Sequence, residues 1–358
     1  MQNKGSVVLG MSGGVDSSVA AILLKNQGYD VVAVFMKNWD EEDDNGVCTA
    51  TEDYNDVVKV CEQLGIRYYT VNFEKEYRDR VFSYFLNEYK KGRTPNPDVM
   101  CNTEIKFKAF LDFAMKFGTD YIAMGHYART KTIDGKTYLL RGLDSNKDQS
   151  YFLSRVKSDA LSKTLFPIGD LEKSEVRDIA KEYNLINATK KDSTGICFIG
   201  ERNFNEFLDK FLFTKEGDIY SVDGEYLGKH SGLMHYTIGQ RRGIGLGGNG
   251  NGEPFFVADK DLDKNRLIVA QGVKHPALYK KTCYLEEPFW ITKEPTFPLK
   301  CTGKIRYRAK DENMLVEKDG DKLKITFENP LKGVTPGQVL VFYQDDICLG
   351  SGIIIGGI

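Results

Sequence analysis

The sequence lacks an apolar run long enough to cross a membrane, since nowhere do about 18 consecutive apolar residues occur. No signal or transit peptide is expected, because the first predicted strand has begun by Val7. The pattern of a disulfide-stapled secreted protein is also missing: the seven cysteines are odd in number and scattered from Cys48 to Cys348, with no C-x-x-C pair. We therefore expect a cytoplasmic protein with reduced thiols and no membrane contact.

The sequence has no excess of charge of one sign, with a formal net charge of −2 and a pI of about 6.2. This balance excludes a protein coated in positive charge, but a folded chain can still gather its basic residues on one face to bind nucleic acid. Residues 300–310 contain five basic side chains and no acidic one. Such a run is ordinarily a solvated face, and here it is also a candidate strand for phosphate contacts.

The most informative stretch is residues 10–18, Gly-Met-Ser-Gly-Gly-Val-Asp-Ser-Ser. An apolar run precedes it and helix-forming residues follow it, which predicts a strand, a glycine turn and the start of a helix. Gly13 and Gly14 permit positive φ and close approach of a ligand. Backbone N–H groups at such a turn favour a phosphate or pyrophosphate. The lysine of a Walker A loop and the Gly-x-Gly-x-x-Gly of a Rossmann turn are both absent here. The alternative to a phosphate-binding turn is an ordinary capped turn between a strand and a helix.

Strands and helices alternate after this turn. Apolar runs predict strands at residues 30–36, 66–73 and 121–124, and amphipathic stretches predict helices at 49–64, 74–91 and 105–117. This alternation is typical of an α/β fold with a parallel sheet covered on both faces. Ligands of such sheets bind beyond the carboxyl ends of the strands. We therefore expect the Gly10 turn, Met36 and Gly125-His126 to converge on one site.

The pattern changes in the second half of the chain. Helices are predicted at residues 174–183 and 204–211, and beyond Gly217 short alternating segments are separated by Asp-Gly, Gly-Gly, Asn-Gly and Pro-Gly pairs. Such segments are typical of small β domains or barrels. The length of 358 residues also favours two or three domains. We predict three, at residues 1–200, 201–272 and 273–358.

Cys101 and Cys197 differ from the other cysteines in their surroundings. Cys101 follows a proline-stiffened loop and precedes a predicted helix, where a thiol pKa is expected to be lowered. Asp98, three residues earlier, could exchange protons with a substrate. Cys197 lies in a turn-rich loop beside two lysines, which also favour thiolate. Buried structural thiols and metal ligands are the alternatives, although a zinc or iron–sulfur site would need more ligands. The remaining cysteines are assigned to structural positions: Cys48, Cys61, Cys283, Cys301 and Cys348.

Several motifs occur together in a fixed order, and they cover essentially the whole chain. They are residues 10–18, Asn96-Pro97-Asp98-x-x-Cys101-Asn102, Gly125-His126-Tyr127, Lys147-Asp148-Gln149-Ser150-Tyr151, residues 193–202 (Ser-Thr-Gly-Ile-Cys-Phe-Ile-Gly-Glu-Arg) and His235-Tyr236-x-Ile238-Gly239-Gln240-Arg241. The first resembles the pyrophosphate loop of N-type ATP pyrophosphatases, and the set closely resembles the bacterial tRNA-specific 2-thiouridylases (the MnmA/TrmU family). The resemblance implies a parallel-sheet N-type ATP pyrophosphatase domain, a small central domain and a C-terminal β-barrel domain.

The resemblance also implies a role for individual residues. ATP, with Mg2+, would be bound by Gly10, Met11, Ser12, Gly13, Gly14, Val15, Asp16, Ser17, Met36 and Gly125. The target base would meet Asn96, Pro97 and the acid/base Asp98. Further tRNA contacts would come from His126, Lys147, Asp148, Gln149, Arg306, Tyr307 and Gln338. Cys197 would carry a persulfide sulfur supplied by a cysteine desulfurase or sulfur-relay protein, and Cys101 would be its thiol partner, leaving a disulfide after transfer. No resident metal ion is implied.

The implied reaction is ATP-dependent sulfur transfer to C2 of the wobble uridine of tRNA for Lys, Glu or Gln, forming 2-thiouridine. One alternative is a pyrophosphatase-type synthetase that adenylates a small molecule, for which both cysteines would be dispensable. A second is an iron–sulfur thiolase acting on another base. Asp98, which lies where such an enzyme would need a cysteine, argues against it. A third is a non-catalytic RNA-binding protein, against which the intact glycine loop argues.

Overall fold

The computed structural model describes residues 4–39, 49–192, 203–247 and 252–358. Its N-terminal part is built on a parallel sheet. The strands of this part are β1 Ser6–Met11, β2 Asp30–Lys37, β3 Arg67–Asn72, β4 Tyr121–Met124, β5 Ala128–Ile133, β6 Lys136–Arg141 and β7 Thr164–Leu165. The sheet has the order β3-β2-β1-β4-β7, and each neighbouring pair is parallel. The predicted α/β fold is therefore confirmed, and the central position of β1 places the glycine turn at mid-sheet.

Helices cover both faces of this sheet. They are α1 Val15–Asn26, α2 Thr49–Leu64, α3 Glu74–Tyr77, α4 Ser83–Lys90, α5 Pro97–Cys101, α6 Phe110–Lys116, α7 Ser158–Ser162 and α8 Lys173–Glu182, with π-helical turns at Arg78–Phe82 and Asn102–Ala109. Successive β1 residues point to opposite faces, as strand geometry requires. Val7 and Leu9 pack in the core with α1, α2 and α8, whereas Val8 packs in the core with residues 73–114.

The helix predicted at residues 105–117 starts earlier than expected. The chain is helical from Pro97 to Lys116, and Asn96 caps it by accepting a hydrogen bond from the Val99 N–H at 3.2 Å. The sequence analysis interpreted the prolines as a stiff loop, but proline is well suited to the first helical position, where its missing N–H has no partner to lose. As a result Cys101 lies one turn inside the helix and is buried, whereas we expected it just before the start of the helix.

The middle of the chain forms a separate small sheet. After α9 Phe204–Asp209 come β8 Gly217–Ser221, β9 Tyr226–His230, β10 Phe255–Asp261 and β11 Arg266–Gln271, in the order β10-β11-β8-β9. Short 3-10 turns at Leu233–His235 and Pro276–Leu278 flank it. Its core consists of alternate strand residues such as Ile219, Val257 and Leu267, which are fully or almost fully buried. This is the small β domain that the turn pattern predicted.

The C-terminal part is a closed barrel. Its strands are β12 Tyr279–Trp290, β13 Leu299–Lys304, β14 Glu312–Asp319, β15 Lys322–Lys332, β16 Val339–Gln344 and β17 Ile347–Gly357. They follow the order β12-β15-β14-β13-β16-β17, and pairing of β12 with β17 closes the ring. Strand β17 also pairs with β6, so the β5–β6 hairpin of the N-terminal part extends the barrel sheet. The barrel is thereby fixed to the domain that carries the glycine turn.

Candidate active site

The glycine turn joins the end of β1 to the start of α1. Gly13 has a φ of +73°, and Gly14 is the N-cap residue of α1 but, as glycine, offers no side-chain cap to the first N–H groups of the helix. The Ser17 hydroxyl accepts a hydrogen bond from the Ser12 N–H at 3.3 Å and donates one to the Gly14 carbonyl at 3.1 Å. The turn therefore presents uncapped N–H groups at the positive end of a 12-residue helix, an arrangement suited to a phosphate.

The other residues predicted to bind ATP lie against this turn. A Cβ atom added to Gly125 would lie 2.8 Å from the Ser17 nitrogen, and one added to Gly10 would lie 2.9 Å from the Met36 methyl carbon. Such distances are well below ordinary van der Waals contact. Gly125 meets backbone atoms and therefore requires glycine, whereas Gly10 meets the ends of flexible methionine side chains. The structure therefore brings together the ends of β1, β2 and β4, as the strand order predicted.

An ion-pair network extends from the turn and includes a residue that sequence reasoning missed. Lys173, the first residue of α8, donates to Asp16 Oδ1 at 2.7 Å and pairs with Asp192 Oδ1, also at 2.7 Å. The Tyr127 hydroxyl donates to the same Asp16 oxygen at 2.8 Å. Lys173 is 15% exposed, so its charge is poorly solvated and is balanced by these carboxylates. A lysine at the start of a capped amphipathic helix gives no sequence signal that it will reach a turn 157 residues away.

Asp192 is the most strongly paired acid of this network. Burial raises the pKa of its carboxyl, but hydrogen bonds from Lys147 and Lys173 outweigh burial and lower the pKa to about 2. Lys147 Nζ lies 2.6 Å from Asp192 Oδ2, and Arg177 adds a third contact at 2.9 Å. Lys190 is held in turn by Asp53 and Asp56 of α2. Residues 190–192 are thus anchored to the glycine-turn domain from two sides.

Asp98 and Cys101 occupy the first turns of the helical segment that Asn96 caps. Burial raises the pKa of the Asp98 carboxyl, and the nearby Lys106 ammonium opposes this rise. A raised pKa favours a carboxyl that can accept and release a proton during a reaction. Cys101 is 2% exposed and belongs to the apolar core that also contains Val8 and Met124. It is therefore a buried core thiol.

Lys106 also connects Asp98 to His126. Burial lowers the pKa of His126 well below its ordinary value, and the Lys106 charge lowers it further. His126 is 8% exposed, its ring lies against Phe107 and Phe166, and its Nδ1 has no hydrogen-bond partner among the described residues. A neutral imidazole with a buried, unpartnered nitrogen has one unmet hydrogen bond, which the predicted contact with a nucleotide would satisfy. Lys106 is a second residue that sequence reasoning missed.

The loop that leads into Asn96 is held by the other two domains. The Gln338 side-chain amide donates to the Thr94 and Pro95 carbonyls at 2.8 and 3.2 Å, and the Thr94 N–H donates to the Pro336 carbonyl at 2.9 Å. From the central sheet, Lys260 Nζ donates to the Gly92 carbonyl at 3.1 Å. Burial lowers the pKa of Lys260 to about 8. Barrel and central sheet therefore fix the position from which the Asp98 helix starts.

The residues predicted to contact tRNA have different environments. Asp148 is buried and accepts hydrogen bonds from the Gly142 and Ser150 N–H groups, and Gln149 Oε1 accepts one from the Tyr127 N–H. Their side chains thus shape the loop that presents Lys147. The Tyr307 ring is partly buried at 4.4 Å from the Phe152 ring, whereas Arg306 beside it is exposed. Contact of these residues with tRNA stays a prediction.

Cys197 and Cys48 lie outside the described residues. The lowered pKa and the pairing predicted for Cys197 with Cys101 therefore stay predictions. Cys61 is buried in α2, and burial raises its thiol pKa to about 11; burial raises that of the partly buried Cys301 to about 12. Cys283 and Cys348 are buried in barrel strands. These thiols are protonated at neutral pH, which agrees with the structural positions assigned to them.

Comparison with known protein families and proteins agrees with this architecture. Three family models match in chain order: a tRNA methyl transferase HUP domain at residues 5–201, a tRNA methyl transferase PRC-barrel domain at 205–271 and an aminomethyltransferase beta-barrel domain at 280–354. A tRNA-specific 2-thiouridylase MnmA 1 of Geobacillus kaustophilus is 61% identical over 355 residues, covering 98% of this chain and 95% of that protein. The chain belongs to the tRNA-specific 2-thiouridylase family.

Further members of the 2-thiouridylase family are similarly close. The MnmA of Alkaliphilus oremlandii is 59% identical, covering 97% of this chain and 96% of that protein, and the MnmA of Staphylococcus aureus strain Newman is 59% identical, covering 99% and 96%. Among solved structures, a U34-tRNA thiolase NcsA from Methanococcus maripaludis matches with a TM-score of 0.36 and 21% identity over 58% of this chain and 64% of its own, which is too distant to add to the argument.

In this 2-thiouridylase chain, the described part of the site has two halves. The glycine turn, Met36 and Gly125 form the first half. The capped helix with Asp98 and Cys101, together with Lys106 and His126, forms the second. Met36 of the first half packs against the apolar core that contains Cys101 of the second half.

Proposed function

We propose that this chain transfers sulfur to C2 of the wobble uridine of tRNA, using ATP to activate the C2 oxygen and a cysteine persulfide as the sulfur source. The observation that carries the proposal is the uncapped glycine turn in the same domain as the helix of Asp98 and Cys101. The close, nearly full-length similarity to proteins named tRNA-specific 2-thiouridylases supports it. The first half of the site suits release of pyrophosphate, and the second suits chemistry on a base.

The first step is adenylation. The C2 oxygen of uridine attacks the α-phosphorus of ATP, the α–β phosphoanhydride bond breaks, and pyrophosphate leaves. The glycine turn of residues 10–17 receives the pyrophosphate, where N–H groups and the helix dipole stabilise its charge. Lys173, 2.7 Å from Asp16, adds a positive charge next to this turn. Asp98 takes up the N3 proton of the base as adenylation proceeds, a role that its raised pKa supports.

The second step is sulfur transfer. The terminal sulfur of a Cys197 persulfide attacks C2 and AMP leaves with the former C2 oxygen. The Cys101 thiolate then attacks Cys197 Sγ, which breaks the S–S bond to the base and leaves the 2-thiocarbonyl. Alternatively, Cys101 attacks the persulfide first and releases sulfide, which attacks C2. Either route oxidises two thiols to a Cys101–Cys197 disulfide, and an external thiol reductant must restore them before the next turnover.

Mg2+ would enter with ATP. Among the described residues no group of three His, Cys, Asp or Glu side chains could hold a metal ion. The triphosphate would therefore supply most of its ligands, with Asp16 as the nearby protein carboxylate, as is common for Mg2+. When bound, Mg2+ would neutralise charge on the departing pyrophosphate.

The remaining partners follow from this reaction. The tRNA would place the extruded base between Asn96-Pro97-Asp98 and His126, with its backbone on Lys147 and the barrel residues Arg306 and Tyr307. A single-stranded anticodon loop makes extrusion less costly. The tRNAs for Lys, Glu and Gln would be the acceptors, and a cysteine desulfurase or relay protein would load Cys197. Because the cysteine thiols that carry the sulfur must stay reduced, we expect a cytoplasmic enzyme. Within the described residues no helix is long and apolar enough to cross a bilayer.

The test is mass analysis of the Cys197 peptide after incubation with a cysteine desulfurase and cysteine, followed by transfer to unmodified tRNA. We expect a gain of one sulfur on Cys197 that disappears when ATP and tRNA are added together. A matched control is Cys301→Ala, which removes a partly buried barrel thiol and should change neither result. Sulfur on another cysteine, or persistence of the label when ATP and tRNA are both present, would contradict the proposal.

A further inference from the structure

Basic side chains from three separate stretches of chain meet where the central sheet contacts the barrel. Arg241 lies in the loop before β10, Arg306 follows β13, and Lys332 is the last residue of β15. We call these three residues the basic seam. Only Arg306 belongs to the residues for which the family resemblance implies a tRNA contact.

Hydrogen bonds hold the loop that carries Arg241 against β10. The Gly239 N–H donates to the Val257 carbonyl at 2.8 Å, and the Val257 N–H donates to the Gln240 carbonyl at 2.9 Å. Gln240 Oε1 also accepts a hydrogen bond from the Thr237 N–H at 2.8 Å. The loop is thus attached to β10 like an additional strand, so the backbone of Arg241 has a fixed position.

The barrel turn after Lys332 packs directly on this loop. A Cβ atom on Gly239 would lie 3.2 Å from the Gly333 Cα, and one on Gly333 would lie 4.0 Å from Arg306 Nη1. The Thr335 hydroxyl donates to the Ile238 carbonyl at 3.3 Å. The two glycines therefore let the domains approach closely, which places Arg306 and Lys332 beside the loop that carries Arg241.

No carboxylate in the described part of the chain pairs with the basic seam. Burial lowers the pKa of Lys332, and the Arg306 and Arg241 charges lower it further. Lys332 Nζ lies 3.4 Å from the centre of the Phe256 ring. Among the described residues, none of the three cations forms an ion pair with a carboxylate, in contrast to Lys173 or Lys190 nearer the glycine turn. Like charges held together in this way are relieved by an anion.

The position of the basic seam indicates which kind of anion it binds. The same loop contacts the segment that starts the Asp98 helix, because the Thr237 and Thr94 hydroxyls lie 3.2 Å apart. Three cations contributed by two domains match an extended polyanion better than a single small ion. We propose that the basic seam binds phosphodiester groups of the tRNA backbone that flank the target nucleotide. This inference rests on the proposed function and adds Arg241 and Lys332 to the residues that recognise the substrate.

The experiment measures binding of unmodified tRNA to the full chain at salt concentrations between about 50 and 200 mM, a range over which phosphate contacts are strongly screened. The variants are Arg241→Ala, Lys332→Ala and the double variant. Lys322→Ala, at the exposed β14–β15 hairpin of the same barrel, is the matched control. Arg241→Lys and Lys332→Arg keep the positive charge, so they show whether an effect of the alanine variants comes from the lost charge or from a change in structure. Competition with inorganic phosphate distinguishes a small-anion site from an RNA site.

Each lost phosphate contact is expected to lower the slope of log affinity against log salt by about 0.7–0.9, hence by about 1.4–1.8 in the double variant. Lys322→Ala and the charge-conserving variants should keep the wild-type slope. An unchanged slope in the double variant, or inorganic phosphate that binds to wild type but not to that variant without displacing tRNA, would overturn the inference. Failure of the wild-type chain to bind tRNA at all would instead contradict the proposed function.

Discussion

The contact between Gly125 and the start of α1 predicts the effect of a single methyl group. Replacing Gly125 with alanine would place Cβ 2.8 Å from the Ser17 nitrogen and 3.0 Å from the Asp16 carbonyl carbon. These are backbone atoms at the start of a helix, so no side chain can rotate away to make room. Either β4 or the glycine turn must shift by several tenths of an ångström.

The cost of this substitution can be worked out from the contact. Inserting a methyl group into a well-packed site costs about 1–3 kcal/mol. For a folded unit of 150–250 residues, 1 kcal/mol lowers Tm by about 2–4 °C, so Gly125→Ala should lower Tm by about 2–12 °C. Because the turn that moves is the predicted pyrophosphate site, ATP affinity should fall at least tenfold, which corresponds to about 1.4 kcal/mol.

The matched control is Gly356→Ala in β17. A Cβ atom at Gly356 would have no heavy atom within 4 Å, and neither glycine has a positive φ, so the two substitutions differ only in the space available. Thermal unfolding with and without ATP, together with calorimetric titration of ATP, measures both effects. Wild-type ATP affinity in Gly125→Ala, or an equal loss in Gly356→Ala, would refute the role assigned to the turn.

Three further predictions concern residues that sequence reasoning did not assign or assigned differently. Lys173→Met should weaken ATP binding, because it removes the cation 2.7 Å from Asp16, and fluorescence titration with ATP would show wild-type affinity if Lys173 were only structural. Gln338→Ala should lower kcat more than tRNA affinity, because the amide holds the Thr94 carbonyl at the start of the catalytic helix; an effect on affinity alone would favour direct tRNA contact. Burial lowers the pKa of Lys260 from 10.5 to about 8. Between about pH 8 and 10.5 the Lys260 side chain is therefore protonated in the unfolded chain but largely neutral in the folded chain. The free energy of unfolding of wild type, measured in urea titrations relative to Lys260→Met, should then rise with pH in this window. A difference that does not change with pH would contradict this prediction.

Local sequence patterns predicted the parallel sheet well. Continuous apolar runs located β2 and β4 to within one residue of their observed bounds, and the glycine turn was located by its residues alone. The β5–β6 hairpin was missed although Asp134-Gly135 marks its turn. Its pairing with β17 joins residues far apart in the chain; Arg141, for example, donates to the Asp345 carbonyl across 204 residues. Periodicity identifies strands but does not identify the partners of a strand distant in sequence.

The candidate site was predictable to the extent that its residues occur in motifs. The turn and Asp98 were found in this way. Lys106 and Lys173 were not, because the charge of Lys106 acts on His126 and Lys173 contacts Asp16, and both partners are distant in sequence. The burial of Cys101 was missed for a different reason: the polar, proline-containing residues before it indicated a loop, whereas Asn96 and Pro97 cap and start a helix that turns the thiol into the core.

The most direct test of the central claim is quantification of 2-thiouridine and AMP after incubation of the chain with ATP, a sulfur donor and unmodified tRNA for Lys, Glu or Gln. The account predicts that wild type and the Cys301→Ala control form one AMP for each 2-thiouridine. Cys101→Ala and Cys197→Ala should form none beyond background. Unchanged thiouridine content with the wild-type chain, or full activity in both cysteine variants, would contradict it.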